Sequence, residues 1–337
     1  VYAMIWRIQV GRVPIFLMDT DVARNSPQDR ELSARLYYGD HEIRISQEIV
    51  LGIGGVRAIR ALGYSPTVWH MNEGHSAFLG LERVRVMVQD EGLSFDQAVE
   101  AARADTVFTT HTPVPAGNDA FAFELIDKFF WQYWGQLGID RERFIQFAQQ
   151  DLPWGPQYSM TVLAIRLSAY RNGVRELHGH VSRSMWQFLW PDTPVEQVPI
   201  GHVTNGVHTK TWMVQEIKDL YNRHLAPQWR EEVDDPAIWA DVDAIPDDEL
   251  WSAHVARKHA LVDFVRDRTQ QQYLRHGEGP QRINDAEALL NPDALTLGFA
   301  RRFATYKRAT LVFSDEERLL RILNDPARPV QIVFSGK

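Results

Sequence analysis

Short apolar runs alternate with longer amphipathic stretches along the whole chain. The apolar runs predict strands at residues 13–18, 67–71, 106–109, 202–204, 295–300 and 330–334. Helical spacing of apolar positions marks residues 42–62, 75–90, 95–104, 159–170, 174–189 and 250–273, and Ser94 with Gln97 predicts a capping box. Alternating strands and helices are typical of an α/β fold with parallel sheets.

Three cations, Arg301, Arg302 and Lys307, follow the predicted strand at 295–300. The apolar run through residue 303 predicts a buried strand, and Thr305 is a candidate cap for a helix that follows it. No carboxylate occurs between residue 295 and Asp315, so these charges lack partners nearby in the sequence. A strand end followed by a helix start favours an anion, and we interpret the segment as a phosphate site.

Composition limits the classes of function. With 337 residues, 45% hydrophobic and 24% charged, the chain is long enough for two domains with ordinary cores. A net charge of -8 argues against a nucleic-acid partner, and no apolar run approaches the ~20 residues needed to span a bilayer. The absence of cysteine suits a cytoplasmic location. The chain begins in the middle of a strand pattern, so we expect an internal piece of a longer protein.

Polar side chains cluster just after the predicted strands, at residues 70–75, 109–113, 204–208, 301–307 and 335–337. Ligands of open α/β sheets bind at the carboxyl ends of the strands, so we expect these clusters to line one cleft. Asn72, His111 and Asn205 can both donate and accept hydrogen bonds, which suits hydroxyl groups. Together with the cations they predict a sugar beside a phosphate. For each residue singly, a turn residue bonded to its own backbone is an equally good interpretation.

Metal and dinucleotide sites are not favoured. The order of His70, Glu73 and His75 does not match the His-Glu-x-x-His zinc pattern, so we predict no metal. The glycine-rich run at residues 52–55 has Arg57 where a dinucleotide motif needs its third glycine, and a helix precedes it. We interpret this run as a close contact between helices.

Five segments, 67–78, 108–119, 204–213, 298–308 and 330–337, occur in an order that resembles α-glucan phosphorylases, in the bacterial branch related to the glycogen and maltodextrin enzymes. This resemblance covers essentially the whole chain. It implies the GT-B architecture of two Rossmann-like, doubly wound domains, with most of the first domain and the start of the second present here. The implied boundaries are 1–205 for the first domain, 206–290 for a helical linker region and 291–337 for the start of the second domain.

The resemblance also implies a reaction, in which inorganic phosphate cleaves the terminal bond of an α-1,4-glucan to give glucose 1-phosphate with retained configuration. Pyridoxal phosphate is the implied cofactor, and the full-length enzyme is implied to form a homo-oligomer. The residue roles carried over are Arg302 and Lys307 as catalytic ligands of the substrate phosphate, His111 and Asn205 as glucose ligands, Arg301 and Trp212 as cofactor contacts, and Asn72, Glu73 and His75 as residues that line the cleft.

The sequence departs from the family in two ways. Asn118 stands where related sequences commonly have histidine. The lysine that binds the cofactor lies in a later glycine-rich motif that is missing here, and Lys337 is not that lysine. We therefore expect this chain to be inactive by itself.

Two other functions are compatible with the same features. A GT-B glycosyltransferase that uses a nucleotide sugar would share the architecture and the basic residues. A glucan-binding module without catalytic activity would explain the missing lysine.

Overall fold

Strands and helices alternate along the chain, as the hydrophobic pattern predicts. The computed structural model describes residues 1–35, 39–114 and 117–336. The chain divides into two units, residues 1–206 and 207–337, and each is described by itself. The separate linker region expected at residues 206–290 stays a prediction.

The first unit contains one parallel sheet and two antiparallel ones. Its strands are β1 (Met4–Val10), β2 (Val13–Asp19), β3 (Trp69–Asn72), β4 (Thr106–Thr110), β5 (Ala120–Phe121), β6 (Gln149–Leu152), β7 (Gly155–Ser159), β8 (Tyr170–Gly173) and β9 (Gly201–His202). The parallel sheet has the order β3-β4-β8-β9. Strands β1 and β2 form a hairpin. Strands β5, β6 and β7, which lie between β4 and β8 in the sequence, form a small antiparallel sheet with the order β5-β7-β6.

Helices lie between the strands of the first unit along the chain. They are α1 (Pro27–Arg30), α2 (His41–Ile49), α3 (Gly55–Ala61), α4 (Phe78–Glu91), α5 (Phe95–Ala104), α6 (Phe123–Phe130), α7 (Tyr133–Gln136), α8 (Arg141–Gln146), α9 (Met160–Arg166) and α10 (Glu176–Trp186). Helix α5 has the predicted bounds, and both hydrogen bonds of its capping box are present.

The parallel sheet is held by a continuous apolar core. Met71 of β3 lies opposite Phe108 of β4 in the sheet, and both are buried. Phe78 and Leu81 of α4 and Leu163 of α9 belong to the same core cluster. Because the sheet is parallel, the carboxyl ends of its strands lie at one edge, where the polar residues of the sequence pattern follow.

The glycine-rich run makes a close helix contact. Residues Val50–Gly54 form a π-helical turn between α2 and α3. A Cβ atom on Gly52 would lie 2.8 Å from the backbone nitrogen of Leu79 and 2.8 Å from the Cβ atom of Phe78. Only glycine allows the turn to approach the start of α4 this closely, which supports the packing interpretation over a dinucleotide site.

The second unit is mostly helical. Its main elements are α11 (Thr209–Trp212), α12 (Gln215–His224), α13 (Asp247–Arg275), α14 (Pro280–Asp285), β10 (Leu295–Ala300), α15 (Glu316–Leu323) and β11 (Val330–Ser335). Strands β10 and β11 pair in parallel. Leu225, Trp229 and Ile238 form a small buried cluster. Across the described residues, every helix is too short or too polar to cross a membrane.

Two predictions about the basic segment were wrong. The predicted buried strand at 295–303 ends at Ala300, and Leu295 and Leu297 are 59% and 43% exposed. Thr305 begins only a short 3₁₀ turn, because Arg308 adopts a left-handed conformation with φ 55° that ends the turn. The regular helix α15 starts later, and the Asp315 side chain caps it by accepting from the Arg318 N–H.

The predicted helix at 159–170 was too long. Helix α9 ends at Arg166, and Tyr170 already belongs to β8. Strands β6, β7 and β8 are short and carry polar residues, so no apolar run marks them in the sequence.

We expect Gly52→Ala to lower the free energy of unfolding by about 1–3 kcal/mol, because the added methyl group overlaps the start of α4. Urea unfolding of the purified chain would measure this effect. Gly54→Ala is the matched control, since its nearest neighbour would be the Met18 sulfur at 3.7 Å, an ordinary contact. The control should be neutral or stabilising by up to about 1 kcal/mol because alanine favours helix. Equal effects of the two changes would contradict the packing interpretation.

Candidate functional site

Predicted site residues of the first unit follow the carboxyl ends of three strands. Asn72 is the last residue of β3, and His111 comes directly after β4. The Asn205 N–H donates to the Val174 carbonyl oxygen at 3.1 Å, which places its backbone just beyond β8 and β9. The sheet therefore brings these predicted residues to one edge, and Asn205 is exposed there.

Glu73 occupies an unusual position at this edge. Its side chain is buried, and a single carboxylate oxygen, Oε1, accepts from the Thr110 hydroxyl at 3.1 Å and from the Thr112 N–H at 2.8 Å. The same oxygen also accepts from the His111 N–H. The Glu73 N–H donates to the Thr109 carbonyl at 2.8 Å. Both the backbone and the side chain of Glu73 are thus bonded to the end of β4.

The Glu73 backbone is strained. Its φ of 67° and ψ of 177° lie in a region that is essentially restricted to glycine. Holding a non-glycine residue there costs about 1–3 kcal/mol, which the surrounding contacts must offset. The hydrogen bonds to residues 110–112 are contacts of that kind.

His111 is oriented by the residue that precedes Glu73. Its Nε2 atom lies 2.5 Å from Oδ1 of Asn72. An amide oxygen can only accept, so Nε2 donates this hydrogen bond, and in a neutral imidazole Nδ1 is then the acceptor. His111 is exposed to solvent. Asn72 therefore fixes the tautomer in which Nδ1 can accept a hydrogen bond from a hydroxyl group.

A row of hydrogen bonds crosses the sheet beside this pair. Nε2 of His70 lies 2.8 Å from the Thr109 hydroxyl, which donates to Oδ1 of Asn172 at 3.1 Å. The row links β3, β4 and β8 through their side chains. It adds to the backbone ladder and fixes the strands on which Asn72 and His111 depend.

His75 belongs to a charged cluster with Arg44, Glu48 and Asp119. Nη2 of Arg44 lies 2.9 Å from Asp119 Oδ2 and 2.6 Å from Nδ1 of His75, and that nitrogen is 3.1 Å from Asp119 Oδ2. The Glu48 side chain is 1% exposed, and its Oε1 atom lies 3.3 Å from Nε of Arg44. The cluster ties α2 to the residues that follow β3 and to residue 119.

The environment shifts the pKa values of this cluster. Burial raises the pKa of Glu48 from 4.5 to about 8. The hydrogen bond with Asp119 raises the pKa of His75 from 6.5 to about 9, although burial and Arg44 oppose this. Burial would raise the pKa of Asp119, but the hydrogen bonds from His75 and Arg44 outweigh it and lower that pKa.

Glu48, His75 and Asp119 could also be considered as metal ligands, since their ligand atoms lie within 4.8 Å of one another. The Arg44 guanidinium contacts all three of them, and it provides the positive charge that a metal ion would bring. The geometry favours an ion-pair cluster. The absence of a metal stays a prediction.

Asn118 connects the loop after β4 to α9. Its Oδ1 atom accepts from the Thr161 hydroxyl at 3.2 Å, and its Nδ2 donates to the Val114 carbonyl at 3.3 Å. Residues 115 and 116 of the motif at 108–119 lie outside the described residues. The departure from histidine at position 118 thus falls on a residue with a packing role.

The basic segment of the second unit follows β10. The Arg301 N–H donates to the Ser335 carbonyl at 3.1 Å, so the pairing with β11 continues past the strand end. Lys307 Nζ lies 4.6 Å from the centre of the Tyr306 ring. Arg302 is exposed. Within residues 207–336, no carboxylate lies within 4.0 Å of the charged groups of Arg301 or Lys307.

Gly336 fixes the course of this segment. A Cβ atom there would collide with the Arg301 carbonyl oxygen and would lie 2.9 Å from the Phe303 ring. Lys337 lies outside the described residues. Trp212, the predicted cofactor contact, is the last residue of α11 and is 79% exposed.

Arg44, Glu48 and Asp119 were not predicted as site residues. The signal available for the first two was a charged pair at i,i+4 on α2, with Glu48 next to the apolar Ile49. A charge within an apolar helix face is expected to have a partner when buried. Nothing near Asp119 in the sequence indicates that it would meet residues more than forty positions away.

Comparisons with known proteins give a consistent result. A sequence model described as carbohydrate phosphorylase matches residues 58–276. The chain is 43% identical to maltodextrin phosphorylase of Thermococcus litoralis, over 100% of this chain and 39% of that protein. It is 42% identical to glycogen phosphorylase of Mycobacterium tuberculosis, over 99% of this chain and 40% of that protein. It is 36% identical to glycogen phosphorylase of Aquifex aeolicus, over 100% of this chain and 48% of that protein. The chain thus spans less than half the length of each of these relatives.

The free energy of unfolding should fall as the pH rises from about 6 to about 9. Over this range the folded chain retains protons at Glu48 and His75 that the unfolded chain has released, so deprotonation favours unfolding. Glu48→Gln cannot titrate, and its slope should be shallower by on the order of 1 kcal/mol per pH unit below pH ~8. Urea unfolding at several pH values would measure the slopes. Glu42→Gln, at a half-exposed position on the same helix, is the control and should keep the original slope. An unchanged slope in Glu48→Gln would rule out this assignment.

Proposed function

Since the chain belongs to the carbohydrate phosphorylase family, we propose that it is part of an α-1,4-glucan phosphorylase. The reaction would be attack of inorganic phosphate on the terminal α-1,4 bond of a glucan, which releases glucose 1-phosphate with retained configuration. Glucan and phosphate would be the partners of the enzyme, in the cytoplasm. The names of the relatives, maltodextrin and glycogen phosphorylase, support this substrate class.

The observation that carries the proposal is the pairing of His111 with Asn72. Asn72 Oδ1 accepts from Nε2 of His111, so in the neutral ring Nδ1 is an acceptor, and His111 is exposed. A neutral acceptor of this kind suits a sugar hydroxyl. Asn205, exposed at the same edge of the sheet, would supply a second neutral hydrogen-bonding group. We assign both residues to glucose binding.

The basic segment would bind the phosphate groups. Arg302 and Lys307 would hold the substrate phosphate, and Arg301 would contact the phosphate of the cofactor. Two phosphate groups close together repel each other, so neighbouring cations are needed to offset this charge in the transition state. Arg301 and Lys307 are suited to this, since no carboxylate of the described second unit neutralises them at 4.0 Å.

We assign Arg301 and Trp212 to the binding of pyridoxal phosphate. Arg301 offers a guanidinium group for its phosphate, and the exposed ring of Trp212 offers an apolar surface. The lysine that would bind the aldehyde is expected elsewhere in the full-length protein. When bound, this cofactor would supply a phosphate group able to exchange a proton with the substrate phosphate.

The GT-B architecture is part of the same proposal. The sheet β3-β4-β8-β9 would belong to the first Rossmann-like domain, and the pair β10-β11 would begin the second. A nucleotide-sugar glycosyltransferase of this architecture is the competing enzyme. The family match favours the phosphorylase.

Arg302→Gln in the full-length protein should lower kcat/KM for phosphorolysis of maltodextrin by roughly 10²–10³-fold, since a cation that stabilises transition-state charge is lost. Release of glucose 1-phosphate would measure this. Arg321→Gln, which changes an exposed arginine of α15, is the control and should keep full activity. Near-normal turnover of Arg302→Gln would contradict the proposal. Transfer from ADP-glucose without any phosphorolysis would instead identify a nucleotide-sugar glycosyltransferase.

A further inference from the structure

We propose that Glu73 is a positioning residue that acts through His111. Its carboxylate holds the backbone of residues 110–112 and thereby sets the place of the His111 imidazole. The inference rests on the proposed function in one respect, which is that His111 binds the sugar. It assigns to Glu73 a task beyond lining a cleft.

The contacts converge on one atom. Oε1 of Glu73 accepts from the Thr110 hydroxyl, the His111 N–H and the Thr112 N–H. These donors belong to three consecutive residues that begin at the end of β4, where the ladder of the sheet stops. Beyond the strand end the His111 and Thr112 N–H groups have no partner in the ladder of the sheet, and the carboxylate accepts from them instead. It therefore determines the path of the chain through His111.

Asn72 and Glu73 contact different parts of His111. Asn72 fixes the imidazole of His111 through its Nε2 atom, while Glu73 fixes the backbone of the same residue. Two consecutive side chains thus hold one histidine at two points. A shift of the His111 backbone would break the 2.5 Å contact with Asn72 and free the ring to rotate.

The strained backbone of Glu73 supports a specific role for its side chain. A glycine would adopt φ 67° and ψ 177° without strain and would satisfy the fold locally. A carboxylate at this position brings strain together with three hydrogen bonds to the next strand end. The side chain does not reach solvent readily, since Glu73 is only 8% exposed. Its chemistry is directed at residues 110–112.

Three substitutions at Glu73 distinguish the effect of its side-chain length from that of its negative charge. Glu73→Gln keeps an oxygen at the Oε1 position, so it should keep the path of residues 110–112 and rescue most of the activity. Glu73→Asp is shorter by one methylene group and should lose these contacts while keeping the charge. Glu73→Ala loses both. Displacement of a substrate ligand by about 1 Å can lower the rate by 10²-fold.

The experiment is a double-mutant cycle in the full-length protein. His111→Ala and Glu73→Ala should each lower kcat/KM for phosphorolysis by roughly 10–100-fold, and the double variant should be no worse than His111→Ala within about threefold. KM for phosphate should stay unchanged, because His111 is assigned to the sugar. Glu91→Ala, an exposed position at the end of α4, is the control and should keep full activity. Multiplicative losses in the double variant would overturn the inference.

Crystal structures of Glu73→Gln and Glu73→Asp test the same point without an activity measurement, and thermal unfolding shows whether each variant folds. Glu73→Gln should keep the contact between His111 Nε2 and Asn72 Oδ1, and Glu73→Asp should lengthen it by more than about 1 Å. An unmoved imidazole in Glu73→Asp would also overturn the inference. If the full-length protein shows no phosphorolysis, the proposed function fails, and if His111→Ala leaves phosphorolysis unaffected, only the assignment of His111 to the sugar fails. In either case the two structures alone decide the role of Glu73.

Discussion

The buried carboxylate of Glu73 joins the ends of β3 and β4, and the remaining site geometry of the first unit follows from that junction. Donors just past a strand end have no neighbouring strand, and water or a side chain must bind them. Here a side chain does so, and the loop after β4 takes one path. Two residues further, His75 joins the same segment to Asp119. Residues 72–75 are thus bonded to both described sides of the loop that follows β4.

The sequence was most informative where an element is fixed by its own residues. Helix α5 has its predicted bounds because Ser94 and Gln97 satisfy its first N–H groups, and its apolar positions repeat at helical spacing. The parallel strands β3 and β4 were predicted because each contains apolar residues, Trp69 and Met71 in β3 and Val107 and Phe108 in β4. The placement of Asn72, His111 and Asn205 at one edge follows from the parallel sheet alone, which is why three strand ends were sufficient to predict it.

Prediction failed where structure depends on distant partners or on an irregular backbone. Strand β8 is formed mainly by polar residues, so its sequence shows no apolar strand pattern. Its pairing with β4 and β9 stabilises it as a strand. The left-handed Arg308 divides what reads as one helix after Thr305. Glu73 accepts from residues 37 to 39 positions further along the chain. No spacing rule predicts such a contact, and the burial and the strained backbone of Glu73 are visible only in the structure.

Arg44 gives the charged cluster a property that a metal centre lacks. Metal sites must take up their ion from solution, and their assembly depends on supply and competes with protonation of the ligands. In this chain the central cation is covalently part of α2, and it contacts Glu48, His75 and Asp119 directly. Each chain therefore contains one such cation, since Arg44 is a residue of the chain itself. Folding of α2 against the rest of the unit brings the Arg44 guanidinium into the cluster, so a chelator cannot remove this cation and another ion cannot exchange with it.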